Sequence, residues 1–256
     1  MLPERLRKDV AGLFEGRGDK GAAVFFSSLA ALFASLEGRV DVAAAFPEFP
    51  ALLAGVVESL ERGDPEEVED KITILYAHFH GAGSAYTPAE RAELDAAGGY
   101  WCHAGGLSPL RKAAPHIAAD TRLADYGAGN GFQGLLFQHL YPHRKTTLIE
   151  LSGPMIERGR SLQEMMGVSP ERVEWIHGSV ADVPPRDFDF IYIYRPLRPE
   201  GEEGRRFYEG FAGELSRVRH PVTIFSVADC LKDFLDDRFR ITYDDGQLTC
   251  FAKPAG

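Results

Sequence analysis

Through the first 118 positions, apolar residues recur at the spacing of helices. Val24, Phe25, Leu29, Leu32, Phe33 and Leu36 fall on one helical face, with alanine and serine between them. Leu52, Leu53, Val56, Val57 and Leu60 repeat the pattern in a second helix. Asp64-Pro65-Glu66-Glu67 then predicts a helix start. The aspartate can accept from free amides, the proline suits the first turn, and Glu67 can reach back to complete a capping box. Thr87-Pro88-Ala89-Glu90 carries the same signal. No repeat of fixed period is present, which favours a bundle over a solenoid. Gly98-Gly99 and Gly105-Gly106 bracket Tyr100, Trp101, Cys102 and His103, an aromatic loop or broken helix.

From about residue 121 strand-like and helix-like stretches alternate. The strand-like runs are Arg122–Tyr126, Thr146–Leu151, Val173–His177, Phe188–Tyr194 and Val222–Val227. Between them lie the helix-like stretches Gly131–Leu140, Pro154–Met166, Gly204–Arg217 and Cys230–Leu235, with a further turn at Ser169-Pro170-Glu171. The chain closes with Phe239–Tyr243 and Gln247–Ala252 around Asp244-Asp245-Gly246, an antiparallel hairpin signal. The pattern predicts an α/β fold: a doubly wound, mostly parallel sheet of seven strands with a C-terminal antiparallel hairpin. A helical N-terminal domain, 1–118, precedes a sheet domain, 119–256.

Charge changes this picture a little. The chain has 256 residues with 28 Lys plus Arg against 38 Asp plus Glu, a net charge of −10. Residues 1–120 hold 11 basic and 18 acidic side chains, and the rest hold 17 and 20. An acidic front part argues against a protein built chiefly to grip phosphate backbones. Cys102, Cys230 and Cys250 are too few and too scattered for a disulfide framework, so a cytoplasmic location is expected. Ala22–Leu36 is the best membrane candidate, but as a helix it would reach about 22 Å of the roughly 30 Å hydrocarbon core. A buried helix is expected there, and no membrane partner. His78 and His80, with Cys102 and His103, lack the paired spacings of a structural zinc site, so no metal is expected.

The densest chemical signal is Asp125-Tyr126-Gly127-Ala128-Gly129-Asn130-Gly131, between the first strand and the helix after it. Glycines there let the backbone turn sharply and approach a ligand beside free helix amides. The nicotinamide fingerprint G-x-G-x-x-G would need glycine where Phe132 stands. The spacing is instead acid-x-G-x-G-x-G. On these residues the chain resembles the class I S-adenosylmethionine-dependent methyltransferases, which have a Rossmann-like fold. The second strand ends in Glu150-Leu151-Ser152-Gly153-Pro154-Met155, and the third leads to Gly178-Ser179-Val180-Ala181-Asp182, in the family's order.

The resemblance implies S-adenosyl-L-methionine as cofactor, held by Asp125, Gly127, Ala128, Gly129 and Gly131, with Glu150 accepting from both ribose hydroxyls. It implies Leu151 and Met155 beside the adenine, with Ser179, Val180 and Tyr194 completing the pocket. Ser179 departs from the acid common at its position. Tyr194-Arg195-Pro196-Leu197, after the fourth strand, lacks the polar acceptor of amino-group methylases. Tyr194 and Arg195 are the candidates nearest the acceptor, Arg195 as a clasp for carboxylate or phosphate. His103 is a candidate base. The acidic balance favours a small-molecule acceptor over nucleic acid. Two other classes share parts of the pattern. One is a non-catalytic S-adenosylmethionine-binding or interaction protein; the other is a nicotinamide-dependent oxidoreductase, which Phe132 and the tail hairpin disfavour.

Overall fold

The computed structural model describes residues 2–81, 86–96, 98–101, 103–228 and 230–255. Its contacts divide into two compact units, Met1–Gly81 with Glu164–Gly167, and Ala82–Gln163 with Val168–Gly256.

The first unit contains α1 (Leu2–Glu15), α2 (Lys20–Leu36), α3 (Val40–Ala45), α4 (Phe49–Arg62) and α5 (Pro65–His80). The apolar run becomes α2, whose start is capped by Asp19 accepting from the Ala22 amide at 2.8 Å. Ser27 and Ser28 return their hydroxyls to the Val24 carbonyl, and Ser35 does so to Leu32, which makes serine tolerable in so apolar a helix. Asp64 caps α5 through the amides of Glu66 and Glu67. Glu67 does not complete the capping box. Its carboxylate pairs instead with Arg62, a charged donor fork that outcompetes one backbone amide. Phe79 anchors the core, with its ring 4.3 Å from Phe46 and 5.3 Å from Phe49. No helix among the described residues is long and apolar enough to cross a membrane.

The second unit opens with α6 (Pro88–Ala96) and α7 (Ser108–Ala113). Then follow β1 (Arg122–Tyr126), α8 (Phe132–Leu140), β2 (Lys145–Glu150), α9 (Gly153–Met165), β3 (Val173–His177) and β4 (Phe190–Tyr194). The unit ends with α10 (Glu202–Arg217), β5 (Val222–Val227), β6 (Arg240–Asp244) and β7 (Leu248–Lys253). The sheet order is β3-β2-β1-β4-β5-β7-β6, with β7 antiparallel to both neighbours and the other pairs parallel. This is the expected seven-stranded α/β sheet with its closing hairpin. Residues 98–118, expected with the helical domain, group with the sheet. Gly99 bridges Leu197, the Tyr100 amide donates to the Pro196 carbonyl, and the Tyr141 hydroxyl donates to the Leu110 carbonyl. Cys230–Leu235, expected as a helix, is a turn. Too few residues stand there to repay helix nucleation, and Cys230 and Leu231 are instead buried in the core.

One packing feature fixes the glycine loop. Trp175 on β3 fills the space beside Gly131 and Gly159, and its indole N–H donates to Gln163 at 3.0 Å. A Cβ at Gly159 would lie 2.1 Å from the Trp175 ring and 2.6 Å from the Asn130 carbonyl oxygen. Gly159→Ala should therefore destabilise the protein by about 1–3 kcal/mol, read from urea unfolding. An unchanged midpoint would show that α9 is not packed flush on this loop.

Candidate functional site

The strand order reverses at β1: the chain steps outward through β2 and β3, then returns to place β4 on the other side. In such sheets the crevice beyond the strand carboxyl ends, at this switch point, is where a ligand fits. The register sets Tyr126 beside Ile193, so the glycine loop and the loop after β4 emerge side by side. A Cβ on Gly127 would lie 3.1 Å from Pro196 Cβ. Gly127, Gly129 and Gly131 all have positive φ (80°, 58° and 69°), which explains the repeated glycine where other residues are strained.

Glu150, at the end of β2, organises the loop. It is 4% exposed. Its Oε2 accepts from the Gly129 amide at 2.8 Å, and its Oε1 accepts from the Ser152 amide at 2.9 Å. Burial pushes its pKa up, and the amides of Ser152 and Gly129 pull it back in part. Each oxygen keeps a second lone pair, so the carboxylate can still accept from two more donors.

A residue not singled out from sequence as part of the site joins here. Ser152 donates its hydroxyl to Glu90 Oε1 at 2.6 Å. Glu90 Oε2 accepts from the Thr87 amide at 2.7 Å, completing the capping box of α6. Burial works to raise the Glu90 pKa, but hydrogen bonds from Ser152 and Thr87 outweigh it, and the pKa is lowered. The capping-box spelling located α6; only the fold could show that its glutamate reaches the glycine-loop region.

The other predicted residues divide. Asp125 lies under the loop, 2% exposed, with its Oδ2 close to Gly134 at the start of α8. Burial, then the charge of Glu150, push its pKa up to about 8, with the Gly134 amide acting in the other direction. Asp125 stands one residue from the end of β1, where the glycine loop begins. Ala128 is buried, and its amide and that of Gly127 both donate to the Ile149 carbonyl. Leu151 is half-buried, whereas Met155 is fully buried on the first turn of α9, so of the two only Leu151 has surface to offer. Ser179 accepts from the Ala181 amide at 3.2 Å, starting a single 3₁₀ turn at half-buried Val180.

At the end of β4, Tyr194 is half-buried and packs near Gly105. Arg195 adopts φ of +35°, unusual outside glycine, and donates to Glu200 at 2.6 Å. Beneath it Cys230 and the Ser226 hydroxyl lie 3.4 Å apart, and burial raises the thiol pKa. That thiol is a packing group. His103 is exposed, and no hydrogen bond or ion pair holds it among the described residues. Two residues on, Gly105 packs against Tyr192 and Tyr194 at the end of β4. Cys102 lies outside the described residues. His78 and buried His80 pack among aromatic rings in the first unit, and no group of three or more His, Cys, Asp or Glu positioned for a metal occurs among the described residues.

No protein-family model and no curated protein matches the chain. Solved structures do resemble it. A putative methyltransferase, yhhF from Escherichia coli, is 15% identical with a TM-score of 0.46, over 58% of this chain and 85% of that one. An RNA methyltransferase from Salinibacter ruber, in complex with S-adenosyl-L-homocysteine, is 17% identical with a TM-score of 0.41, over 57% and 88%. A variant of MtNAS in complex with S-adenosylmethionine is 15% identical with a TM-score of 0.43, over 91% of this chain and 98% of that one. The sheet itself settles the architecture. The chain has a Rossmann-like fold. At these identities and overlaps the neighbours say nothing of what it binds or transfers, which its own site must carry.

The buried Asp125 makes stability depend on pH. The folded chain keeps a proton there that the unfolded chain releases near pH 3.8, so stability falls as pH rises from about 4 to about 8. Asp125→Asn should flatten that fall, at about 1.4 kcal/mol for each pH unit in the window. Urea unfolding of both proteins at pH 5 and pH 8 checks it, and parallel losses would contradict the assignment.

Proposed function

We propose that this chain is an S-adenosylmethionine-dependent methyltransferase. The observation that carries the reading is Glu150: a buried carboxylate held by one amide from the glycine loop and one from the loop after β2, with a lone pair left on each oxygen. A ribose offers two vicinal hydroxyl donors, which match those two oxygens. Gly127, Ala128 and Gly129 bring backbone close to the cofactor, with Gly131 shaping the turn into α8. Leu151 lines the adenine side with Ser179 and Val180. Asp125 supports the loop from below, Met155 does so from α9, and Tyr194 lines the wall at the end of β4.

The bound sulfonium supplies an already reactive methyl group. What these residues contribute is position and exclusion of water. The acceptor sits beyond the ends of β1 and β4, where Tyr194 and Arg195 stand. The helical N-terminal unit, with its acidic surface, contributes to acceptor choice, and a small molecule suits that charge better than nucleic acid. A cytoplasmic location is part of this reading, and the three scattered cysteines support it.

Glu150→Ala should weaken S-adenosylhomocysteine binding by at least tenfold while the protein stays folded. In the unaltered protein, affinity should fall as pH drops through the raised pKa of Glu150, because the protonated acid has given up one acceptor lone pair. Turnover against a metabolite extract, read as released S-adenosylhomocysteine, tests transfer. Unchanged affinity in folded Glu150→Ala would move the cofactor elsewhere, and binding without release from any fraction would leave a binding protein rather than an enzyme.

A further inference from the structure

Tyr100 carries two guanidinium groups. Arg195 and Arg198 each hold Cζ 5.3 Å from its ring centroid. Backbone pairing enforces this: the Tyr100 amide donates to the Pro196 carbonyl at 3.2 Å, and the Arg198 amide donates to the Gly98 carbonyl at 2.8 Å. Each arginine gains from the face of the ring. Two cations gathered at one ring also repel, and a counter-charge relieves that repulsion.

The structure supplies less negative charge than the cluster needs. Glu200 meets one nitrogen of Arg195, whose Nε is buried with no acceptor among the described residues. Arg198 is exposed and has no acidic partner among the described residues. The next aromatic residue, Trp101, holds Arg91 at 4.7 Å, and the Arg91 Nε is likewise buried without an acceptor. A buried N–H lacking an acceptor is what a ligand oxygen would satisfy. Local positive charge in a chain of net −10 marks this place apart.

The location matters as much as the charge. Pro196 joins the two features, because its Cβ stands 3.1 Å from the Cβ position of Gly127 and its carbonyl holds Tyr100. The arginine–tyrosine stack therefore borders the glycine loop at the sheet's switch point. We propose that Arg195, Arg198 and Tyr100 clamp an anionic group of the acceptor, which is a compact molecule bearing a carboxylate or a phosphate. The word acceptor rests on the methyltransferase reading; the anion site does not. A long polyanion running past Arg198 would meet Glu200, Glu202 and Glu203, all exposed, so a compact anion fits better.

The test titrates the full chain, saturated with S-adenosylhomocysteine, with sodium benzoate, inorganic phosphate and mixed transfer RNA. Proteins compared are the unaltered chain, Arg198→Glu, Tyr100→Leu, and Arg206→Ala as a control from an exposed pair with Glu202 on α10. The unaltered chain should bind benzoate or phosphate, and the tighter of the two identifies the group. Arg198→Glu and Tyr100→Leu should each weaken that binding at least tenfold, with Arg206→Ala and every S-adenosylhomocysteine affinity within twofold. Equal binding by the unaltered chain and Arg198→Glu, no binding of either small anion, or binding of transfer RNA alone would overturn the proposal. If S-adenosylhomocysteine fails to bind while the anions still separate Arg198→Glu from the unaltered chain, the cofactor reading falls and the anion site stands.

Discussion

The Glu150 carboxylate sits almost out of water and is held by amides from two different loops. A buried carboxylate is tolerated only where hydrogen-bond donors replace the lost water, and here Gly129 and Ser152 supply them. That requirement shapes the surroundings. It draws the glycine loop onto the end of β2, and it orients Ser152, whose hydroxyl then anchors α6 through Glu90. Asp125 beneath feels the same negative charge, and burial keeps it protonated well above the usual carboxylate range. Burial thus raises the pKa of both acids at these neighbouring strand ends, and amides of the adjoining loops lower that of Glu150 in part.

The fold was legible where burial is complete. Parallel strands covered on both faces are runs of apolar residues, and Phe190–Tyr194 and Val222–Val227 stand out for that reason. The glycine loop was legible because positive φ at three alternate residues admits little besides glycine. What escaped depends on partners distant in sequence. Short α3 has too few residues to show a period, and Cys230–Leu235 has helical composition but is spent on core packing. Glu67 fits a capping box until Arg62 claims it. Residues 98–100 join the sheet unit through backbone pairing with 196–198, which no local pattern announces.

The candidate site divides in the same way. The side proposed for the cofactor lies on contiguous motifs and could be spelled out from the chain. The side proposed for the acceptor brings Tyr100 to Arg195 and Arg198, nearly a hundred residues further along the chain, and required the fold. The strained φ at Arg195 belongs to that side. Backbone strain of this kind persists where surrounding contacts overdetermine it, and here the buried turn at Cys230 and the stacked Tyr100 do so.

Calorimetry of the unaltered chain with S-adenosylmethionine, S-adenosylhomocysteine and NAD tests the central claim most directly. The account predicts saturable binding of the first two at one site per chain and none of NAD. Binding of NAD, with neither of the others bound, would contradict it.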